Sequence, residues 1–337
     1  MKNFKVSKKV TKLLLSALFV FPLAGEIAVP PAAEAIASST LEENAAGQPS
    51  APAEVQQFAG QVIRFLSSQE SFSKWKDSIA AYNPLGPGTH GWLVSLVSSG
   101  HEPVGYLIIG AKPDGGLALV EYGTGSDPLY NPGRLHIDPG DKLGLLYGGP
   151  ALTQWSVTKP DGQSVYLEAA NGETLPDTDA DWLARSSGLP LNILNEAAGT
   201  SGSSDSSDSS DSSGSSGEQA GQKVALPLDP VQSGTPFRPD DNLLWMTSES
   251  VTLTPAQFNH MDADPGEWVY FTSGPARTYA QSLPISGYQQ WYETDGYPVP
   301  SIDEPIIYLI SRTENRTRYI LFNALSETGE FKAWTGR

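Results

Sequence analysis

The sequence of 337 residues contains no cysteine, and this absence excludes several kinds of chemistry. Neither a disulfide nor a lipid-modified N-terminal cysteine can form, and a thiol nucleophile and a thiolate metal site are excluded as well. A long apolar run is also missing, because Leu13 to Ala24 is interrupted by Pro22 and is shorter than the about 20 residues that a spanning helix needs. We therefore expect stabilisation by ordinary core burial and no stable membrane insertion.

Positive charge is scarce and unevenly placed. The chain has 21 Lys and Arg against 38 Asp and Glu, for a net charge of -17. Its first residues nevertheless form a basic region ahead of the apolar stretch LLLSALFVFPLA, and Ala33-Glu34-Ala35 follows as a cleavage site. This order is typical of a signal peptide, here residues 1–35, and predicts a secreted bacterial protein that is extracellular or associated with the cell wall.

Removal of residues 1–35 takes away five lysines and two acids and lowers the net charge to -20. An acidic field of this size disfavours nucleic acid and anionic membrane surfaces, and it favours solubility and basic partners. We therefore expect no nucleic-acid partner.

Familiar catalytic motifs are missing. The sequence has no G-x-S-x-G, H-E-x-x-H or P-loop motif, and GTGSDP lacks the third glycine of a dinucleotide-binding loop. The four histidines are far apart in sequence. DTDADW begins like a calcium loop, but Trp182 replaces the required glycine and Gly188 the required Glu, so a capped helix start explains it better. We expect no cofactor and no metal site.

One segment divides the chain. Residues 199–222, GTSGSSDSSDSSDSSGSSGEQAGQ, contain no large apolar residue and should form a flexible, disordered linker. Residues 36–52, rich in Ala, Ser and Pro, are expected to be a disordered lead. The prediction is two small domains, residues 53–198 and the β-rich residues 223–337.

Apolar periodicity gives the elements of the first domain. Helical spacing, at i, i+3, i+4, i+7, i+8 and i+11, occurs at Val55, Phe58, Ala59, Val62, Ile63 and Leu66. A second short helix is expected in SFSKWKDSIAAY, before Asn83-Pro84. Strands at 92–98, 104–111 and 117–123 with short turns predict an antiparallel meander. The apolar YLIIGA is expected to be a central strand covered on both faces, or one covered on one face with a partner beyond.

The second domain contains the strand candidates NLLWMTS and EWVYFTS and a hairpin formed by PIIYLIS and TRYILFNAL. The expected fold class is α+β: two small domains, each an antiparallel sheet with one or two packed helices, joined by a disordered Ser/Asp/Gly linker.

The run GYLIIGAKPDGGLALVEYGTGS resembles the strand-turn-strand of the inhibitory propeptides of streptopain-type proteases, and VYLEAANGETLP is similar to the closing hairpin of PepSY-type domains. The resemblance rests on Gly105, Tyr106, Asp114, Tyr122, Gly123 and Gly172. It implies a small helix-plus-sheet module that binds or inhibits peptidases or lies in the cell envelope. Because no catalytic Cys and paired His follow, the C-terminal half departs from an active protease of this type.

Glu121 is the residue out of place in the apolar strand LALVEYG. Alternation sets it beside Leu117 and Leu119, and if it were buried there its pKa would be raised, as in many functional sites. The interpretation we favour is that this end of the strand is exposed. Glu121, Glu267 and Asp303 are carboxylates that could serve glycoside hydrolysis, but nothing selects a pair.

Aromatic residues gather in SGYQQWYETDGYPVP, residues 286–300, where Tyr288, Trp291, Tyr292 and Tyr297 are candidates for a ligand-stacking surface.

Three hypotheses follow. The first is a non-catalytic exported protein that binds a peptidase or another cell-envelope partner, the second is a protein that binds cell-wall polysaccharide through residues 288–297, and the third is a carboxylate-based hydrolase.

Overall fold

The computed structural model describes residues 51–86, 91–112, 116–186, 224–227, 232–258, 267–272, 279–294 and 305–334. Antiparallel sheets predominate in these residues and helices are few, which confirms an α+β fold in outline. The helices are α1 (Ala53–Leu66), α2 (Asp179–Ser186) and α3 (Phe322–Ser326).

The described residues of the first half of the chain form eight strands. They are β1 (Ile79–Leu85), β2 (Gly91–Val97), β3 (Pro103–Ala111), β4 (Leu117–Gly125), β5 (Lys142–Tyr147), β6 (Thr153–Thr158), β7 (Ser164–Glu168) and β8 (Thr174–Leu175). The predicted meander is confirmed for β2 to β4, which pair in sequence order, and β1 adds a fourth strand that was not predicted. The second predicted helix is wrong beyond its first turn. Glu70–Trp75 form a short 3₁₀ helix, and β1 follows it. Because β1 is an edge strand, Pro84, which has no backbone N–H, leaves no hydrogen bond to a second neighbouring strand unmade.

The second half supplies the remaining strands of the described residues. They are β9 (Val224–Pro227), β10 (Gln232–Ser233), β11 (Ser250–Val251), β12 (Trp268–Thr272), β13 (Gln281–Ile285), β14 (Gly287–Thr294), β15 (Ile306–Arg312), β16 (Arg316–Leu321) and β17 (Glu330–Ala333). The predicted hairpin is β15 and β16.

The main sheet contains strands from both halves of the chain. Its order is β1-β2-β3-β4-β16-β15-β14-β10, and β9 pairs with β14. The junction is the antiparallel pair of β4 and β16, in which Tyr122 lies opposite Tyr319. The expectation of a separate sheet in each half is therefore wrong. In a separate sheet β4 would be an edge strand with unpaired backbone N–H and C=O groups, and its pairing with β16 satisfies them. Residues 199–222 lie outside the described residues.

Two smaller sheets accompany the main one. Their orders are β5-β6-β7-β8 and β11-β17-β12-β13. The β7–β8 hairpin corresponds to the predicted closing hairpin, and Gly172 in its turn has a φ of 77°, a conformation that favours glycine.

The main sheet is covered on both faces at β3, which is the first of the two arrangements expected for YLIIGA. Leu107 and Ile109 point into a core shared with α1, whereas Tyr106 and Ile108 point into a core shared with the β5–β8 sheet. The predicted helical face is confirmed in α1: Val55, Ala59, Val62 and Leu66 are buried, and Phe58 and Ile63 are partly buried. Ala51, which we expected in the disordered lead, is buried in the same core, and its carbonyl accepts a hydrogen bond from Gln56.

A third core lies between the second half of the main sheet and the β11–β17–β12–β13 sheet. Its largest side chains are aromatic: Phe258, Tyr270, Tyr288, Phe322 and Phe331. None of the helices in the described ranges is long and apolar enough to span a membrane.

Candidate functional site

Glu121 is fully buried, so the expectation that this end of β4 is exposed is wrong. The main sheet is covered on both faces, so a side chain of β4 is buried on either one. An irregularity in the pairing of β3 with β4 decides which face Glu121 occupies. Ile108 pairs with Glu121 and Ile109 with Leu119, so Val120 has no partner in the register. Such a bulge reverses the alternation of side chains between the two faces of a strand. Leu119 therefore lies in the core beneath α1, while Glu121 contacts residues of the opposite core.

Four hydrogen bonds hold the Glu121 carboxylate. Arg318 of β16 donates from Nε to Oε1 at 2.7 Å and from Nη2 to Oε2 at 2.9 Å. The hydroxyl of Tyr106 donates to Oε1 at 2.5 Å, and that of Tyr147 donates to Oε2 at 3.1 Å. Each carboxylate oxygen thus accepts one bond from a guanidinium and one from a phenol. We call this set of four residues the Glu121 cluster.

Arg318 makes a third hydrogen bond in addition to the two with Glu121. Its Nη2 also donates to the carbonyl of Pro150 at 2.7 Å. Burial opposes the charged guanidinium, but the neighbouring Glu121 carboxylate outweighs it and raises the pKa of Arg318. A bidentate, buried pair of this kind keeps both charges in place and in fixed orientation.

The tyrosines of the cluster are held in their neutral form. Burial first, and the negative charge of Glu121 second, raise the pKa of Tyr106 and of Tyr147 well above 10.0. Tyr130 is affected in the same way, and its hydroxyl donates to the carbonyl of Leu146 at 2.7 Å. At neutral pH these phenols therefore act as hydrogen-bond donors.

The geometry of the Glu121 cluster favours a structural role over acid–base catalysis. A general acid or base must come within hydrogen-bond reach of a reacting group, and glycoside hydrolysis needs a second carboxylate across a gap. Each oxygen of Glu121 already accepts two hydrogen bonds within the protein, so neither has a lone pair left for a substrate proton. Glu267 is half-buried at the start of β12, and Asp303 lies outside the described residues.

A second ion pair joins β16 to the first half of the chain. Arg316 donates from Nη2 to Asp127 Oδ2 at 2.9 Å and from Nε to the carbonyl of Asp127 at 2.7 Å. Arg134 also contacts Asp127 Oδ2, at 3.2 Å. Because Arg316 and Arg318 are two residues apart, β16 is tied to the first half twice.

The aromatic candidates are mostly core residues. Tyr288 is buried against Phe258, with ring centroids 5.0 Å apart. Trp291 is buried against Tyr122 and Tyr308, and its Nε1 donates to the Tyr122 hydroxyl at 2.9 Å. The expected stacking surface is therefore wrong for Tyr288 and Trp291, because strand β14 turns both towards covered faces of the main sheet.

The other two aromatic candidates are Tyr292 and Tyr297. Tyr292 is half-buried and its hydroxyl lies 3.5 Å from Gln290 Oε1. Tyr297 lies outside the described residues.

A buried polar chain connects Trp291 to the first half of the chain. Gln289 accepts a hydrogen bond from Tyr122 and donates from Nε2 to Gln69 Oε1 at 3.0 Å. Tyr122 and Tyr319 stack on each other across the β4–β16 junction, with centroids 4.7 Å apart. Trp291, which the sequence suggested for a ligand surface, thus stabilises the contact between the two halves.

The acidic segment DTDADW forms the start of α2, as predicted. Asp181 accepts hydrogen bonds from the backbone N–H and the hydroxyl of Thr178, and the Asp181 N–H donates to Thr178 Oγ1 at 3.3 Å. This reciprocal arrangement is a helix cap. No group of three or more His, Asp or Glu residues suited to a metal ion occurs in the part of the chain that the structure describes.

One surface feature was missed by the sequence. NLLWMTS, expected as a strand, forms a 3₁₀ turn at Leu243–Thr247, with Trp245 buried and the apolar residues around it exposed. The sequence carries no signal for this turn, because residues 243–246 form a continuous apolar run that does not show which side chain faces inward.

Comparison of the chain with protein families, with curated proteins and with solved structures yields no match.

Proposed function

We propose that the chain is an exported, non-catalytic protein that binds a peptidase or another protein of the cell envelope. The observation that carries this proposal is the saturated state of Glu121. The carboxylate that the sequence marks as the best candidate for chemistry is occupied by Arg318, Tyr106 and Tyr147. This arrangement favours a scaffold that presents a surface over a site that transforms a substrate.

Two features of the sequence add to the proposal. Residues 1–35 have the order of a signal peptide, so the mature chain would act outside the cytoplasm. The resemblance of residues 105–126 to inhibitory propeptides suggests a peptidase as partner. The burial of Tyr288 and Trp291 speaks against the polysaccharide alternative.

We also propose that residues 199–222 are a solvated tether between the two halves. With such a tether, the two halves must be held by noncovalent contacts, and the β4–β16 pair with its two ion pairs supplies them.

The proposal is tested by affinity capture. Residues 36–337 are immobilised and exposed to the culture supernatant and the cell-wall fraction of the producing bacterium, and bound material is identified by mass spectrometry. The matched control is the same protein after thermal unfolding. We expect one peptidase or envelope protein to be enriched on the folded protein alone. Recovery of polysaccharide alone, or of the same proteins on both surfaces, would contradict the proposal.

A further inference from the structure

The turn Leu243–Thr247 carries the main concentration of exposed apolar side chains in the described residues. Leu243 is 56% exposed, Leu244 64% and Met246 49%. The other large apolar residues exposed to this degree in the described ranges, Ile79 and Leu183, belong to other elements of the chain. Single exposed apolar residues are ordinary, whereas a cluster of them marks an interaction surface.

The turn is held rigidly, so this exposure is a property of the folded state. Trp245 is buried, lies edge-on to Phe271 with centroids 5.4 Å apart, and donates from Nε1 to the carbonyl of Pro239 at 2.9 Å. Asn242 Oδ1 accepts the backbone N–H of Leu244 at 3.0 Å and thereby caps the start of the turn.

The end of the turn is fixed as well. The Ser248 N–H donates to the carbonyl of Trp245 at 3.1 Å, and Lys332 of β17 donates from Nζ to the carbonyl of Ser248 at 2.9 Å. A surface that is ordered before it binds loses less conformational entropy on association, which favours a specific partner.

The charges beside the turn define the chemistry of that partner. Asp240, Asp241 and Glu249 are exposed and lie within three positions of it. The cations beside it are Arg238, which is exposed, and Lys332, which is mostly buried and lies 3.7 Å from the carboxylate of Glu330. Arg238 lies 3.9 Å from Asp241. The apolar group is therefore flanked by net negative charge, and a partner with Lys or Arg around an apolar centre is complementary. A second copy of this chain is not complementary to this surface, because its own net charge is -17.

We propose that Leu243, Leu244 and Met246 form the apolar centre of a docking surface for a protein segment in which apolar side chains are flanked by lysines or arginines. This inference rests on the proposed function and specifies the chemistry of the partner. An apolar centre surrounded by a polar rim is the usual anatomy of such an interface.

The test uses two synthetic peptides as probes. One has a Leu-Phe-Leu centre between lysines, and the other has the same centre between glutamates. Binding to residues 36–337 is measured by fluorescence anisotropy, and the contact is located by hydrogen–deuterium exchange. We expect the lysine peptide to bind, to protect residues 243–248, and to bind more weakly as ionic strength rises. The glutamate peptide should bind at least about tenfold more weakly.

Matched variants separate this surface from general charge attraction. Leu244→Gln with Met246→Gln should weaken lysine-peptide binding by about tenfold or more. Ile79→Gln and Leu183→Gln, at residues 54% and 59% exposed, should leave it unchanged. All variants should keep the thermal melting temperature of the wild type. Equal binding of the two peptides, or full binding by the double variant, would overturn the inference. So would binding of wild type, but not of the double variant, to phosphatidylcholine vesicles.

The outcomes also separate this inference from the proposed function. If affinity capture enriches an envelope protein that the double variant retains fully, the docking surface is wrong and the proposed function stands. If the lysine peptide binds at residues 243–248 while capture enriches no peptidase or envelope protein, the docking surface stands and the proposed function fails.

Discussion

Arg318 and Glu121 are 197 positions apart in sequence and form a bidentate, fully buried ion pair across the β4–β16 junction. The pair lies where the two halves of the chain join in one sheet, and two tyrosine hydroxyls complete it. A buried pair of this kind contributes little net stability compared with an apolar pair, but it becomes very costly when one partner is removed.

Removal of either charge should therefore destabilise the fold. We expect Glu121→Gln, which leaves the guanidinium unpaired, and Arg318→Met, which leaves the carboxylate unpaired, each to lower the free energy of unfolding by about 3–5 kcal/mol in urea titrations. Asp138→Asn is the control, because Asp138 is exposed and pairs with Lys159 at the surface. If Glu121→Gln changed the free energy of unfolding no more than this control does, that result would contradict the burial of the Glu121 cluster.

Gly105 should tolerate no side chain. A Cβ there would lie 2.5 Å from Trp75 Nε1 and 2.6 Å from the carbonyl oxygen of Gly123. Gly105→Ala should therefore lower the free energy of unfolding by about 1–3 kcal/mol. Gly60→Ala is the matched control in α1, where a Cβ meets nothing within 4 Å. It should raise stability by about 0.5–1 kcal/mol, since glycine is unfavourable inside a helix. Equal effects in thermal melting would contradict this packing.

Trp291 should behave as a core residue rather than as a ligand contact. Trp291→Ala removes a buried ring and the donor to Tyr122, and we expect the free energy of unfolding to fall by about 3–5 kcal/mol. Tyr292→Ala, at a half-buried neighbour, should cost much less. A Trp291→Ala variant that unfolds like wild type in urea but loses binding to isolated cell wall would support the polysaccharide hypothesis instead.

Asp127 should make stability depend on acid pH. Burial opposes its charge, but hydrogen bonds from Asn131 and the charges of Arg316 and Arg134 outweigh burial and lower its pKa below 3.8. The folded state thus binds the proton less readily than the unfolded state. The resulting stabilisation is fully present well above 3.8 and is lost as pH falls through the lower, folded-state pKa.

The Asp127→Asn variant tests this linkage. Its deficit in unfolding free energy relative to wild type should be constant near neutral pH and should shrink as the pH falls below 3.8. A deficit that stays the same down to acid pH would show that the carboxylate is not stabilised by its arginines.

Local patterns predicted much of the fold. The spacing of apolar residues identified α1, and apolar continuity identified β3 as a central strand, while the structure shows that both of its faces are covered. Short turns identified the meander of β1 to β4 only in part, because Ile79 and its neighbours look helical by composition and become a strand only through pairing with β2.

Long-range contacts could not be predicted from the sequence. Nothing in LALVEYG shows that its partner is TRYIL, on the far side of a Ser/Asp/Gly segment. The bulge at Val120 was invisible as well, and it alone decides which face Glu121 occupies. Trp291 looked like part of a ligand surface because its burial depends on the same junction, whereas Tyr288 is buried by a core built mostly from the second half.

The most direct test of the account is a disulfide across that junction. Thr124 and Thr317 are paired in β4 and β16, and directly opposed residues in antiparallel strands have Cα atoms about 4.5–5.5 Å apart, within the range of a disulfide. Because the chain has no cysteine, Thr124→Cys with Thr317→Cys can form one bond only within a molecule. Thr124→Cys with Thr174→Cys, on β8 of another sheet, is the control.

Peptide mapping by mass spectrometry after mild oxidation gives the readout. We predict nearly complete linkage of Cys-containing peptides in the Thr124→Cys, Thr317→Cys variant and none in the control. Free thiols in both variants, with the protein folded, would contradict the claim that the two halves form a single sheet around the Glu121–Arg318 pair.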